Sequence, residues 1–284
     1  MDALTPDLAL TGVPRGGTTL ACRLLGEAQD TVALFEPMAV DRLPHDPDAA
    51  CTEVAGYFRA VRARIRRERR APSRLHAGKL PDNPFAARST DARRAWQAEL
   101  GDMIVDKPLT DHFHLVIKHN AAFLALLPQL TQRMPVIGVL RNPLAVLCSW
   151  HSVDLPVAQG RLPAGERLDP GLARCLANEP DVLARQLHIL DWCFGRLLRW
   201  LPPECLLRYE DIVTNGGVNL CAAAGVQGEP VVLHNRNAEP QCERDRITVL
   251  ADALCRHAGP CVDAYGRASV ATLAKDMLED LSDG

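Results

Sequence analysis

Arg15, Gly16, Gly17, Thr18 and Thr19 are the residues whose types and spacing most clearly suit chemistry on an anion. They close the stretch LALTGVPRGGTTL, Leu8 to Leu20, where a short apolar run breaks into a glycine-rich turn and then turns helix-compatible. The order predicts strand, anion loop, helix. Gly12, four residues, Gly17, then Thr18 and Thr19 follows phosphate-loop spacing, but Thr18 stands where a nucleotide triphosphatase needs lysine. Small residues let backbone N–H groups approach an anion, and a helix starting there adds unpaired donors and the positive end of its dipole. Without the lysine there is little to hold a β,γ-diphosphate and its magnesium, whereas Arg15 offers a forked cation. The loop suits a phosphosulfate better than a triphosphate.

A second stretch, PVIGVLRNPLAVLCSWHSV from Pro135 to Val153, runs from β-rich residues to Arg141, then Asn142 and Pro143, with Ser149 eight positions after Arg141. Eight residues span about two helical turns, so Arg141 and Ser149 can reach one phosphate. Together PRGGTT and LRNPLAVLCS resemble the two nucleotide signatures of the sulfotransferases that use 3′-phosphoadenosine 5′-phosphosulfate (PAPS), in their bacterial form. The resemblance implies that Arg15, Gly16, Gly17, Thr18 and Thr19 hold the 5′-phosphosulfate and that Arg141 and Ser149 hold the 3′-phosphate. It implies PAPS as donor co-substrate and 3′,5′-ADP as product, with no metal.

Three further elements extend the resemblance. TVALFEPM, Thr31 to Met38, is similar to the Glu-Pro element after the first helix of bacterial carbohydrate and protein-tyrosine sulfotransferases, which implies Glu36 as general base. Its place at a strand end, on the edge where ligands of open α/β sheets gather, points the same way. VIKHNAAFLALLP resembles the lysine and histidine element of animal cytosolic sulfotransferases, which implies catalytic roles for Lys118 and His119. Histidine follows Lys118 directly here, where that family has one residue between them. His119 is therefore a rival base. CLLRYEDIV, Cys205 to Val213, resembles the RYEDL strand that follows the 3′-phosphate motif and implies that Tyr209 approaches the nucleotide. The basic residue that covers the nucleotide in that family is sought in Arg236 or Arg244.

These residues must be positioned by a scaffold, and the pattern predicts an α/β fold: a P-loop-like parallel β-sheet flanked by helices, with helical substrate-side insertions. At 284 residues without a Gly, Ser or Pro linker, 1–284 reads as a single sulfotransferase domain, with 72–91 and 154–179 as candidate lid and flap segments. The net charge of −3 and 5% aromatic content exclude bulk nucleic acid as a partner. The acidic start and the lack of about 18 successive apolar residues lead us to expect a soluble, cytoplasmic protein with no membrane span. Ten cysteines scattered in apolar contexts read as reduced thiols. A basic helix, Arg59 to Arg70, is either a solvated face or a docking surface for an acidic partner. The expected reaction is sulfuryl transfer to a hydroxyl of a sugar, phenol, lipid or carrier-tethered natural product. Phosphoryl transfer by a P-loop kinase or nucleotide triphosphatase, and a PAPS-fold binding module without turnover, are the alternatives.

Overall fold

The computed structural model describes residues 7–86, 93–237, 239 and 242–281. Its strands are, in chain order, β1 (Asp7–Gly12), β2 (Thr31–Phe35), the antiparallel pair β3 (Arg70–Leu75) and β4 (Glu99–Ile104), β5 (His114–Lys118), β6 (Val136–Leu140) and β7 (Leu206–Arg208). Five of them form a parallel sheet in the order β2-β5-β1-β6-β7, with helices on both faces. The central strands are continuous apolar runs because a parallel sheet is covered on both sides. In β1, Leu8 and Leu10 pack into one layer while Ala9 packs into the other.

Register puts the site residues on one edge. Leu10 and Phe35 both pair with Lys118, and Gly12 pairs with Val139. The carboxyl ends of β1, β2, β5 and β6 are thus level, and Arg15, Glu36, His119 and Arg141 follow directly from them. Chain order reverses across β1, which has β5 on one side and β6 on the other. That is the switch point at which open α/β sheets bind ligands.

Helix α1 (Thr18–Glu27) starts where the glycine turn after β1 ends. Its N-cap is Gly17 in the left-handed region, with no side-chain cap. At its far end, the Lys107 ammonium donates to the carbonyls of Gly26 (2.6 Å) and Ala28 (2.7 Å), a cation where the dipole is negative. Helix α2 (Pro47–Glu68) is capped by Asp46, whose carboxylate accepts from the Ala49 N–H at 2.8 Å. Its arginines tie the helix to neighbouring structure: Arg62 to Asp7 and the Phe113 carbonyl, Arg64 to Asp102, Arg66 to the Asp111 carbonyl, and Arg69 to the Lys107 carbonyl. Arg59, Arg67 and Arg70 stay exposed on the same stretch.

The next helices, α3 (Ala121–Ala125) and α4 (Leu127–Leu130), lead to β6, and α5 (Pro143–His151) leaves it. Pro143 occupies the first turn of α5, and the Asn142 side chain caps it by accepting from the Leu144 N–H at 3.0 Å. Residues 154–179 are not the irregular flap expected from their prolines and glycines. They hold a short 3-10 turn, Pro156–Gln159, then α6 (Pro163–Leu168) and α7 (Pro170–Asn178), each with proline in its first turn. The long amphipathic helix α8 (Val182–Trp200) follows and packs Ile189, Leu190, Phe194 and Leu197 into the core.

RYED is another correction. Only Leu206–Arg208 is strand, and Tyr209 opens helix α9 (Tyr209–Thr214), whose first turn carries Glu210 and Asp211 against the dipole. The expected lid at 72–91 is in part β3, and residues 87–91 lie outside the described residues. The acidic tail is helical through Asp280, with Val270 and Met277 fully buried. Among the described residues, no helix is long and apolar enough to cross a membrane.

Candidate functional site

The turn after β1 is built by backbone. The Gly16 N–H donates to the Val13 carbonyl at 2.7 Å, which closes the turn and takes that amide away from any ligand. Gly16 is therefore a structural member of the loop, and the donors left for an anion begin at Gly17. Gly17 has φ 94°, and a Cβ there would lie 2.5 Å from the Tyr209 ring. Only glycine meets both demands. Arg15 adopts φ 67° and Glu36 φ 45°, left-handed conformations that non-glycine residues seldom take.

Arg15, Gly17, Thr18, Thr19, Glu36, Lys118, His119, Arg141, Ser149 and Tyr209 all line one cavity of about 460 Å³ at the carboxyl edge of the sheet. The two motifs touch: Arg15 Nε donates to Ser149 Oγ at 3.1 Å, and Arg141 Nη1 donates to the Arg15 carbonyl at 3.2 Å. Arg15 Nη2 donates to Asn83 Oδ1 at 3.2 Å, and its guanidinium stacks 4.5 Å from the Phe85 ring centre. The Arg15 side chain thus leans toward the second motif, not only over the first.

Arg141 is buried and stacks 4.5 Å from the Tyr209 ring centre. Its Nε donates to Asn237 Oδ1 at 2.7 Å and its Nη2 to the Arg236 carbonyl at 3.0 Å. Behind it, the Glu210 carboxylate accepts from Asn237 Nδ2 (2.6 Å), the Asn142 N–H (3.0 Å) and the Tyr265 hydroxyl (2.8 Å), which fixes the face Asn237 turns to Arg141. Tyr209 supports the site as well, its hydroxyl accepting from the Arg236 N–H at 3.2 Å.

Electrostatics mark this end of the cavity as cationic. Burial and then the nearby charges of Arg94, Arg141 and Arg236 push the Arg15 guanidinium down to about 9, still protonated at neutral pH. Burial likewise lowers Arg141. Asp82 offsets Arg236 at 3.4 Å, with both side chains half exposed. Of the two lid candidates, Arg236 lines the cavity, while Arg244 starts a helix elsewhere and donates to the Leu278 carbonyl.

The other end holds the candidate bases. Lys118 Nζ donates to Glu36 Oε1 at 2.6 Å, with Lys118 3% and Glu36 28% accessible. Burial alone would raise the Glu36 carboxyl, but Lys118, His119 and Arg74 together hold it below its ordinary value. The His119 ring, 5% exposed, accepts the Met38 N–H on Nε2 at 3.2 Å and meets the Phe123 ring edgewise. Since an amide can only donate, Nε2 carries the lone pair and the neutral ring's proton sits on Nδ1. Burial lowers His119 to about 4, so the ring is neutral at pH 7 and its one basic nitrogen is engaged.

Several residues of the site escaped the sequence reading: Asn83 and Phe85, which line the cavity and hold Arg15, Arg94, which lines it and donates to Ser152 Oγ at 2.8 Å, and Asn237, which holds Arg141. Arg94 and Phe85 come from the long connection around β3 and β4, whose course no local spacing reveals. Elsewhere Asp191, His257 and Cys261 bring three metal-ligand atoms within 4.8 Å of one another. That carboxylate already accepts from His257 Nε2 (2.6 Å) and the Cys261 N–H (3.2 Å), which accounts for the cluster as a tie between α8 and the C-terminal helices. No protein-family model and no curated protein matches the chain.

Proposed function

We propose that the protein is a sulfotransferase that moves a sulfuryl group from PAPS to an acceptor hydroxyl. The observation that carries the reading is the convergence of Arg15, Arg94, Arg141 and Arg236 on one cavity at the N-terminus of α1. Cations gathered closely enough for three of them to lower the ionisation of Arg15 form a site for a polyanion. We read the strand order and the glycine turn together as a P-loop-like architecture whose lysine has been replaced. The chemistry of the lining fits PAPS: two anionic ends, two groups of donors and an arginine between them.

PAPS supplies the sulfuryl group and leaves as 3′,5′-ADP. The residues divide the remaining tasks. Gly17, Thr18 and Thr19 present N–H groups at the helix start to the 5′-phosphosulfate. Arg141, held by Asn237, and Ser149 bind the 3′-phosphate. Arg15 spans the two, since Nε reaches Ser149 and Nη1 makes no hydrogen bond among the described residues. Glu36 takes the acceptor proton on Oε2, the oxygen that Lys118 leaves unengaged. Lys118 beside it keeps the carboxyl ionised and stands ready to balance charge on the bridging oxygen. His119 is a positioning residue in this scheme, because its lone pair is occupied and its free edge can only donate.

The kinase alternative finds no support in the lining. Lys118 and Arg141 end the two strands that flank β1, where a magnesium-binding carboxylate is wanted. The test is calorimetric titration in metal-free buffer with 3′,5′-ADP and, separately, with Mg-ATP. The expected result is micromolar binding of 3′,5′-ADP that weakens at least tenfold in Arg141→Ala, and no tighter binding of Mg-ATP. Tighter binding of Mg-ATP would overturn the assignment.

A further inference from the structure

The acceptor end of the cavity narrows the substrate. Its wall is drawn from four elements and is apolar on each: Val40, Ala122, Leu155, Val157, Leu162 and Ala164 line it. On the other side stand the aromatic residues Phe35 and Trp96, their rings 5.9 Å apart. Polar groups here are few and most are committed, the buried Oδ1 of Asn120 being without a partner among the described residues. Lys118 and Glu36 pair with each other, His119 accepts the Met38 N–H, and Arg161 forks onto Glu166 at 2.5 Å. A sugar brings several hydroxyls into such a wall and leaves most of them without partners, a loss that a hydrogen-bonding site would avoid.

Resting on the sulfotransferase reading above, we propose that the acceptor is a phenol: one aromatic hydroxyl on an apolar body, delivered to Glu36 along the apolar wall. The phenol oxygen forms a new bond to sulfur as the bond from sulfur to the bridging oxygen of the phosphosulfate breaks. The phenolic proton passes to Glu36 Oε2, and the bridging oxygen departs on 3′,5′-ADP. No oxidant, reductant or metal takes part in this balance.

The acidity of the two candidate bases supports the same class. Glu36 sits below its ordinary value under Lys118 and Arg74, and His119 titrates near about 4. Proton transfer from an aliphatic alcohol to so weak a base is steeply uphill, whereas a phenol ionises near about 10 and meets it much closer.

The experiment has two stages. First, 3′,5′-ADP is titrated into the protein, and absence of binding brings down the sulfotransferase reading together with this one. Then 2-naphthol, 2-decalol and N,N′-diacetylchitobiose are titrated into the 3′,5′-ADP complex, with quenching of Trp96 fluorescence as a second signal, and label transfer from [³⁵S]PAPS to each is measured. We expect 2-naphthol to bind at least 100-fold more tightly than the disaccharide and to accept label at least 100-fold faster, by kcat/KM, than 2-decalol. Ala164→Glu should raise the KM for 2-naphthol at least tenfold and leave the affinity for 3′,5′-ADP unchanged. If 3′,5′-ADP binds but the disaccharide or 2-decalol equals 2-naphthol, or no phenol takes label, the phenol assignment is wrong while the nucleotide site stands.

Discussion

Replacing Lys118 by Met tests whether the Lys118–Glu36 pair is the electrostatic pivot of the acceptor end. The substitution keeps the length and apolar stem of the side chain and removes the ammonium, which lies 2.6 Å from Glu36 Oε1 and 4.5 Å from the Phe35 ring centre. Glu36 then faces burial without its main counter-charge. It can escape by taking up a proton, and at pH 7 that costs about 4 kcal/mol, from roughly 2.7 pH units above the ordinary glutamate value at 1.36 kcal/mol each. Because 28% of the Glu36 side chain remains accessible and Arg74 stays 4.0 Å away, the expected loss is smaller, about 2 to 3 kcal/mol.

The pH dependence gives the sign. In the wild type the Glu36 value is depressed, so its contribution to stability is present above the ordinary carboxylate range and is lost as pH falls through the folded value. In Lys118→Met the folded value is raised instead, so the penalty exists at neutral pH and vanishes as acid protonates the carboxyl. Urea unfolding at pH 7 and again near pH 4.5 should therefore show a gap between the two proteins that closes on acidification. Adding Glu36→Gln to Lys118→Met should restore at least half of the loss at pH 7. A variant within about 0.5 kcal/mol of wild type at pH 7, or a gap that does not close, refutes the reasoning.

Gly17→Ala places a methyl group 2.5 Å from the Tyr209 ring at φ 94° and should cost about 2 to 4 kcal/mol of stability, read by urea unfolding, with loss of 3′,5′-ADP binding. His119, lowered to about 4 by burial, binds protons less readily folded than unfolded, so stability is full above about pH 6.5 and should fall by up to about 3 kcal/mol as pH drops toward 4. His119→Gln should flatten that part of the unfolding profile.

The first helix, its glycine turn and the pair Arg141 and Ser149 were legible because each is local: a strand end, a turn and the next helix lie within about twenty residues. Spacing alone brings Ser149, two turns into α5, near Arg141 at the end of β6. What spacing hides is the long connection through β3 and β4, so Phe85, Asn83 and Arg94 reach the cavity unannounced. Residues 154–179 misled for a different reason. Pro163 and Pro170 read as breakers, yet each stands in the first turn of a helix, where a missing N–H is no loss. RYED read as strand because its neighbours Leu206 and Leu207 are, but the acidic pair after Tyr209 favours a helix start.

Strain and charge meet at the same two residues. Arg15 and Glu36 both have positive φ, a conformation that costs a non-glycine residue about 1 to 2 kcal/mol, and both follow closely on a strand end. Glycine at either place would relieve the backbone but remove the side chain that lines the cavity. Arg15 in that conformation reaches Ser149, across the switch point, and Glu36 reaches Lys118 on the adjacent strand, so each strained residue links its own strand to a neighbouring element. The chain as a whole carries a net charge of −3, yet it gathers Arg15, Arg94, Arg141, Arg236 and Lys118 around one opening against Glu36, Asp82 and Glu239. On a chain of that overall sign, such a cluster reverses the local field and favours an anion at this opening.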